Sequence, residues 1–151
     1  MAKPSHSFKS VLKEYCHKIN PQKILEWGPG TSTKVMLDSC PDSEIYTIEH
    51  STKWFKRAKT KFSKYDNVQL LQKSVGKNSS YASTGFKFAP YDLIFVDGRR
   101  RVECCFVAMQ CISEDGVILL HDCERKNYRS IVDSFIDIIE ERDGTLVFRA
   151  K

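Results

Sequence analysis

Two groups of residues carry types and spacings suited to chemistry. In the first, Glu26-Trp27-Gly28-Pro29-Gly30-Thr31-Ser32-Thr33 ends a short apolar run and opens a helical pattern. Glycines let the backbone turn tightly and approach a ligand, and Thr31 or Ser32 can cap a helix whose free N–H groups favour a negative group. Glu49 closes the next apolar run 21 positions after Gly28, about the offset at which an acid meets the hydroxyl pair of a ribose. The ligand expected is a nucleoside. The second group is Asp97 and His121-Asp122, which end the two most apolar runs, Leu93 to Val96 and Val117 to Leu120. An imidazole exchanges protons near neutrality, so His121 reads either as a general base or as a hydrogen-bonded structural residue.

The elements that must position these residues alternate along the chain. Phe8, Val11, Leu12, Tyr15 and Ile19 recur at helical spacing, and Pro21 closes that helix. Apolar runs at 23–27, 44–49, 68–72, 91–97, 116–121 and 145–149 read as six strands. Helical patterns cover about 31–39, 51–64, 101–112 and 126–141, with Trp54, Ala58 and Phe62 on the inward face of the second of these. Residues 73–90 are polar and without clear period. Continuous apolar strands suit a sheet covered by helices on both faces, so the expected fold class is α/β with a doubly wound, mainly parallel sheet. Ligands of such sheets bind beyond the carboxyl ends of the strands, where strand order reverses.

A chain of 151 residues with 41% hydrophobic content suits one domain spanning 1–151 that buries about 70% of its unfolded surface. Disorder, collagen and coiled coil are excluded by this composition. No apolar run reaches the ~20 residues that span a bilayer, and residues 1–10 lack a signal-peptide stretch, so no membrane partner and a cytoplasmic location are expected. The six cysteines (16, 40, 104, 105, 111 and 123) then read as reduced core residues. They contain no C-x-x-C pair, which does not suit a structural zinc site.

Nicotinamide dinucleotides use similar geometry, but their pyrophosphate wants a third glycine and no carboxylate nearby. Thr33 occupies that glycine position, and Glu26 stands at the loop. A cofactor with an ammonium and a sulfonium and no phosphate makes Glu26 a partner instead, and S-adenosylmethionine (SAM) fits that description.

Glu26-x-Gly28-x-Gly30, Glu49 and Tyr91-Asp92-Leu93-Ile94-Phe95-Val96-Asp97-Gly98 resemble class I SAM-dependent methyltransferases over residues 20–125. The fourth strand and Gly116 to Asp122 are most similar to small O-methyltransferase-like domains. The resemblance implies that Glu26 and the Gly28, Gly30, Thr31 and Ser32 segment hold the methionine part. It likewise assigns Glu49 to the ribose, places His50 and Ser74 near the adenine, and sets Asp97 beside both cofactor and acceptor. It also makes strands four and five neighbours, so that Asp97 and Asp122 share a crevice and can bind Mg2+, although Cys123, a poor magnesium ligand, stands where an amide is usual. Without a metal, His121 is the base.

The acceptor implied is a small, saccharide-like or anionic molecule, with Arg99-Arg100-Arg101 either greeting it or forming a solvated helix start. The family usually carries seven strands and substrate-binding inserts. Acceptor contacts here must come from the first helix, residues 73–90 with Tyr81 and Phe86, Cys123 to Tyr128, or the second subunit of a homodimer. Lys53, Lys56, Arg57, Lys59, Lys61 and Lys64 leave two readings open. They form an ordinary soluble surface, or a non-catalytic module of this fold uses them to bind RNA or a protein. No RNA-binding signature accompanies them, and the Asp/Asn-Pro-Pro-aromatic motif of amino-methylating DNA enzymes is absent.

Overall fold

The computed structural model describes residues 8–76, 78–124 and 126–151, and of residues 126–128 the backbone alone. Helix α1 (Phe8–Ile19) buries Phe8, Val11, Leu12, Tyr15 and Cys16, which follow one another at i, i+3, i+4, i+7 and i+8. Asn20 at φ 49° ends it, its N–H donating to the Cys16 carbonyl, and Pro21 forbids continuation. There follow β1 (Lys23–Trp27), α2 (Thr31–Ser39), β2 (Glu44–Glu49), α3 (Thr52–Phe62) and β3 (Val68–Gln72). Beyond a 3₁₀ turn at Ser83–Phe88 come β4 (Tyr91–Val96), α4 (Arg101–Cys111), β5 (Ile112–His121), α5 (Lys126–Val132), β6 (Ile136–Arg142) and β7 (Thr145–Ala150).

All seven strands form one sheet in the order β3-β2-β1-β4-β5-β7-β6. The first five run parallel, and β7 is antiparallel to both neighbours. Strand order reverses between β1 and β4, which pair from Ile24↔Leu93 to Trp27↔Val96. Alternate residues of the central strands supply two cores. Ile24, Leu93, Phe95, Val117 and Leu119 pack under α1, α2 and α3, while Leu25, Ile94, Val96, Ile118 and Leu120 pack under α4. Burial on both faces is why these strands are apolar without alternation.

Two sequence expectations are corrected. The sheet has seven strands where six were read, because the helix expected over 126–141 stops at Val132 and gives way, after a 3₁₀ turn at Asp133–Phe135, to β6. Ile131, Phe135 and Ile138 have helical spacing, yet these are the exposed residues (48%, 53% and 48%), whereas Val132 and Ile136 are buried. Pairing with β7 overrides the local pattern. Asp143 and Gly144, at φ 53° and 74°, form the two-residue turn between the paired Arg142 and Thr145. Asp-Gly is a residue pair suited to positive φ at both centres of a hairpin turn. Second, Trp54 is not on the inward face of α3: it is 54% exposed, while Ala58 and Phe62 are buried. The expected segment 1–10 lies outside the described residues up to Ser7, as does Arg125 within Cys123 to Tyr128.

The placement of β6 is checked by paired substitutions. Ile136→Lys buries an unpaired charge and is expected to cost about 3 kcal/mol or more of unfolding free energy in urea titrations. Ile138→Lys is expected to change it by no more than about 0.5 kcal/mol; the reverse ranking would restore the helix.

Candidate functional site

The carboxyl ends of β1, β2, β4 and β5 open onto one crevice made of two adjoining compartments. The larger, about 360 Å³, is lined by residues that include Glu49, His50, Trp54, Tyr81 and Arg99. The smaller, about 260 Å³, is lined by Phe8, Gly30, Thr31, Ser32 and His121 among others. Gly28, Pro29 and Asp97 border both. The crevice therefore lies at the β1/β4 reversal, as the parallel topology requires.

The floor is set by close backbone approach. Gly28 has φ 91° and donates its N–H to the Ile48 carbonyl at 3.0 Å, and a Cβ there would stand 3.0 Å from the Asp97 carbonyl oxygen. Only glycine fits between the two strand ends without strain. At Gly98 a Cβ would fall 1.9 Å from the hydroxyl of Tyr81. Tyr81 is fully buried; its hydroxyl accepts the Arg99 N–H at 3.1 Å, and its carbonyl accepts the Trp27 indole N–H at 3.1 Å. One side chain from the polar stretch after β3 thus pins the loops after both β1 and β4.

Glu26 lies beneath this floor rather than in the crevice. It is fully buried, and its carboxylate accepts the hydroxyls of Ser32, Thr33 (2.5 Å) and Thr47 (2.8 Å). Thr33 in turn accepts the Gly30 N–H at 3.0 Å. Burial pushes the Glu26 carboxyl up to about 7, the three hydroxyl hydrogen bonds oppose that, and the charge of Asp97 adds to it. The expected direct contact of Glu26 with a ligand is therefore replaced by an indirect one, through the loop and the N-terminus of α2. The Ser32 hydroxyl is likewise committed to Glu26, although Ser32 lines the smaller compartment together with Gly30 and Thr31.

Glu49 ends β2 with its side chain 9% exposed. One carboxylate oxygen accepts the Ser51 N–H at 2.8 Å and lies 3.0 Å from the His50 ring. Among the described residues no protein donor reaches the other oxygen, and the residue lines the larger compartment. His50 stands edge-on to Tyr81 at 6.1 Å. Ser74 is exposed beyond the end of β3 and is not on the wall of either compartment. Trp54, which the helical spacing had turned inward, is a wall residue with Arg57 over its ring at 4.7 Å.

At the other end, Asp97, His121 and Asp122 come together, with one ligand-type atom of each within 4.8 Å of the others. His121 Nε2 is 3.5 Å from Asp122 Oδ1 and 3.9 Å from Asp97 Oδ1. Its ring sits edge-on to Phe8 at 4.8 Å and over Phe95 at 6.2 Å. Arg101 reaches into the same cluster, 3.2 Å from Asp97 Oδ1 and 3.7 Å from Asp122 Oδ2. This set does not fit Mg2+, which takes oxygen ligands in near-octahedral array. A guanidinium already pairs both acids, and the Cys123 thiol, where an amide would be expected, donates to Glu141 at 3.2 Å. Sequence reasoning placed Arg101 at the mouth only; its position three residues after Gly98 carried no signal of this inward turn.

No protein-family model matches the sequence. Among solved structures the chain is similar to a methyltransferase-like protein of Silicibacter pomeroyi, at TM-score 0.79 and 17% identity over 100% of this chain and 88% of that one. It is also similar to the SAH-bound methyltransferase PaMTH1 of Podospora anserina (0.76, 20%, 100% and 80%). An O-methyltransferase of Bacillus cereus in complex with SAH matches at 0.76 and 14%, over 100% and 83%. The fold is thus the Rossmann-like methyltransferase fold.

Two measurements probe this floor. Gly98→Ala is expected to lower stability by about 2 kcal/mol or more, and by clearly less in a Tyr81→Phe background, because the clash is with the hydroxyl itself. The second concerns pH. With its folded value raised from 4.5 to about 7, Glu26 holds its proton more tightly in the native state. Its contribution is complete below pH 4.5 and is lost as the pH rises through 7. Urea titrations between those limits should show the wild type losing on the order of 3 kcal/mol relative to Glu26→Gln.

Proposed function

We propose that the chain is a SAM-dependent methyltransferase acting on oxygen of a small or saccharide-like acceptor. The observation that carries this reading is Glu49, held at the end of β2 with one oxygen that no protein donor among the described residues reaches, across the Gly28–Gly30 loop from His121 in a methyltransferase fold. The residues fit the cofactor. Glu49 suits the ribose hydroxyls, and His50 lies on the wall of the same compartment. The Gly28–Gly30 backbone and the first turn of α2 suit the methionine end, whose carboxylate is favoured by a helix N-terminus. When bound, SAM supplies a methyl group on a sulfonium, an electrophile that needs no further activation.

The work left to this chain is alignment and proton removal. Gly28 and Asp97, common to both compartments, hold the junction where nucleophile and methyl must line up. His121, its ring braced by Phe8 and Phe95, is the base this reading assigns to the acceptor's hydroxyl proton. Asp97 and Asp122 flank its Nε2. Of the three arginines, Arg101 is committed to the cluster, and Arg100 bonds Glu103 and the carbonyls of Val75 and Gly76. Arg99 lines the larger compartment with no side-chain partner among the described residues, so recognition of an anionic acceptor falls to it.

One observation favours a second reading. Lys53, Lys56, Arg57, Lys59 and Lys61 of α3 form no ion pair among the described residues, and exposed Trp54 stands at their head, a surface suited to RNA. Strongly salt-dependent RNA binding without SAM affinity would replace the first reading by this one. The described residues contain no helix long and apolar enough to cross a membrane, and the six buried free cysteines support a reducing, cytoplasmic setting.

Calorimetry decides the cofactor. SAM and S-adenosylhomocysteine are expected to bind and NAD not to bind. Glu49→Ala is expected to weaken SAM about 100-fold, the loss of two hydrogen bonds to a charged acceptor. Unchanged affinity in that variant removes the ribose assignment.

A further inference from the structure

We infer that Arg101 is a built-in cation that takes the place of a divalent metal at the acceptor end, closing the Asp97–Asp122 pair to such ions. The local sequence dictates where it goes. Arg101 is the first residue of α4, and Arg100 before it adopts a left-handed conformation (φ 49°), which turns the chain back towards the strand ends. The guanidinium is then held by three carbonyls as well as by the two acids. Its Nε donates to Gly98 O at 3.0 Å, Nη1 to His121 O at 2.5 Å and Nη2 to Asp97 O at 3.3 Å.

Only 10% of the Arg101 side chain is exposed. It bridges the end of β4 to the end of β5. An ion bound between Asp97 and Asp122 would lie within a few ångströms of this fixed positive charge and compete for the same oxygens. Displacing the arginine would also give up its three bonds to backbone carbonyls in a part-buried site. The guanidinium donates a directed bond to Asp97 Oδ1 at 3.2 Å and pairs in charge with Asp122 Oδ2 at 3.7 Å, so it neutralises both acids while fixing Asp97. The inference concerns the acid pair alone and stands whatever group the crevice transfers.

The probe is Mn2+, followed by the loss of its free-ion electron paramagnetic resonance signal. Wild-type protein is expected to take up no Mn2+ below about 1 mM, the affinity range of weak carboxylate sites. Arg101→Met, which keeps the stem and removes the charge, is expected to bind it at least 10-fold more tightly, and Asp97→Asn in that background to abolish the gain. Arg101→Lys keeps a cation and should stay closed. Stoichiometric uptake by the wild type that Asp122→Asn removes would overturn the inference, as would a folded Arg101→Met with no gain. Should Arg101→Met fail to fold, the wild-type and Asp122→Asn titrations decide alone: uptake overturns the inference, and none at 1 mM supports it.

Discussion

The geometry of the crevice rests on a carboxylate that never reaches it. Glu26 is fully buried at the end of β1, and its oxygens draw in hydroxyls from two residues of α2 and one of β2. A carboxyl in that position costs free energy unless its hydrogen bonds are made, so the three donors have little freedom to be elsewhere. Through Thr33 the same contact fixes the Gly30 amide, and with it the path of the loop. The glycine loop is therefore tensioned from below, by a group whose protonation is coupled to its burial.

Above that floor the two compartments differ in charge. The larger ends in Glu49, one of whose oxygens meets no protein donor among the described residues. The smaller ends at His121, between two carboxylates bridged by a guanidinium. Gly28 and Asp97 form part of their common border, and close backbone contact there together with the positive φ of Gly28 strains any side chain at that position. Tyr81 serves both sides from one buried position, bonding the loop after β4 through its hydroxyl and Trp27 through its carbonyl.

Residues that end strands were legible because parallel strands buried on both faces must be apolar until they emerge, so Asp97, His121 and Glu49 mark where each one stops. The offset from Gly28 to Glu49 follows from the length of one helix between two neighbouring strands, which is a local quantity. Ser74, by contrast, lies past the end of an edge strand, where nothing but the loop itself decides its direction.

From its amino acids alone the protein's α/β class, its parallel core, the glycine loop and the row of polar strand ends are determined, since each depends on burial patterns within one element or its immediate successor. Tertiary structure decided the rest. Ile131, Phe135 and Ile138 satisfy a helix locally, and only the open flank of β7, brought alongside by the Asp143-Gly144 turn, makes a strand out of residues 136–142. Glu26 looks like a ligand contact until Thr47, from the neighbouring strand, is seen to hold it. Arg101 looks like a surface charge until β5 delivers Asp122 and the His121 carbonyl to its far side. In each case a partner distant in sequence, absent from any local pattern, decides the placement.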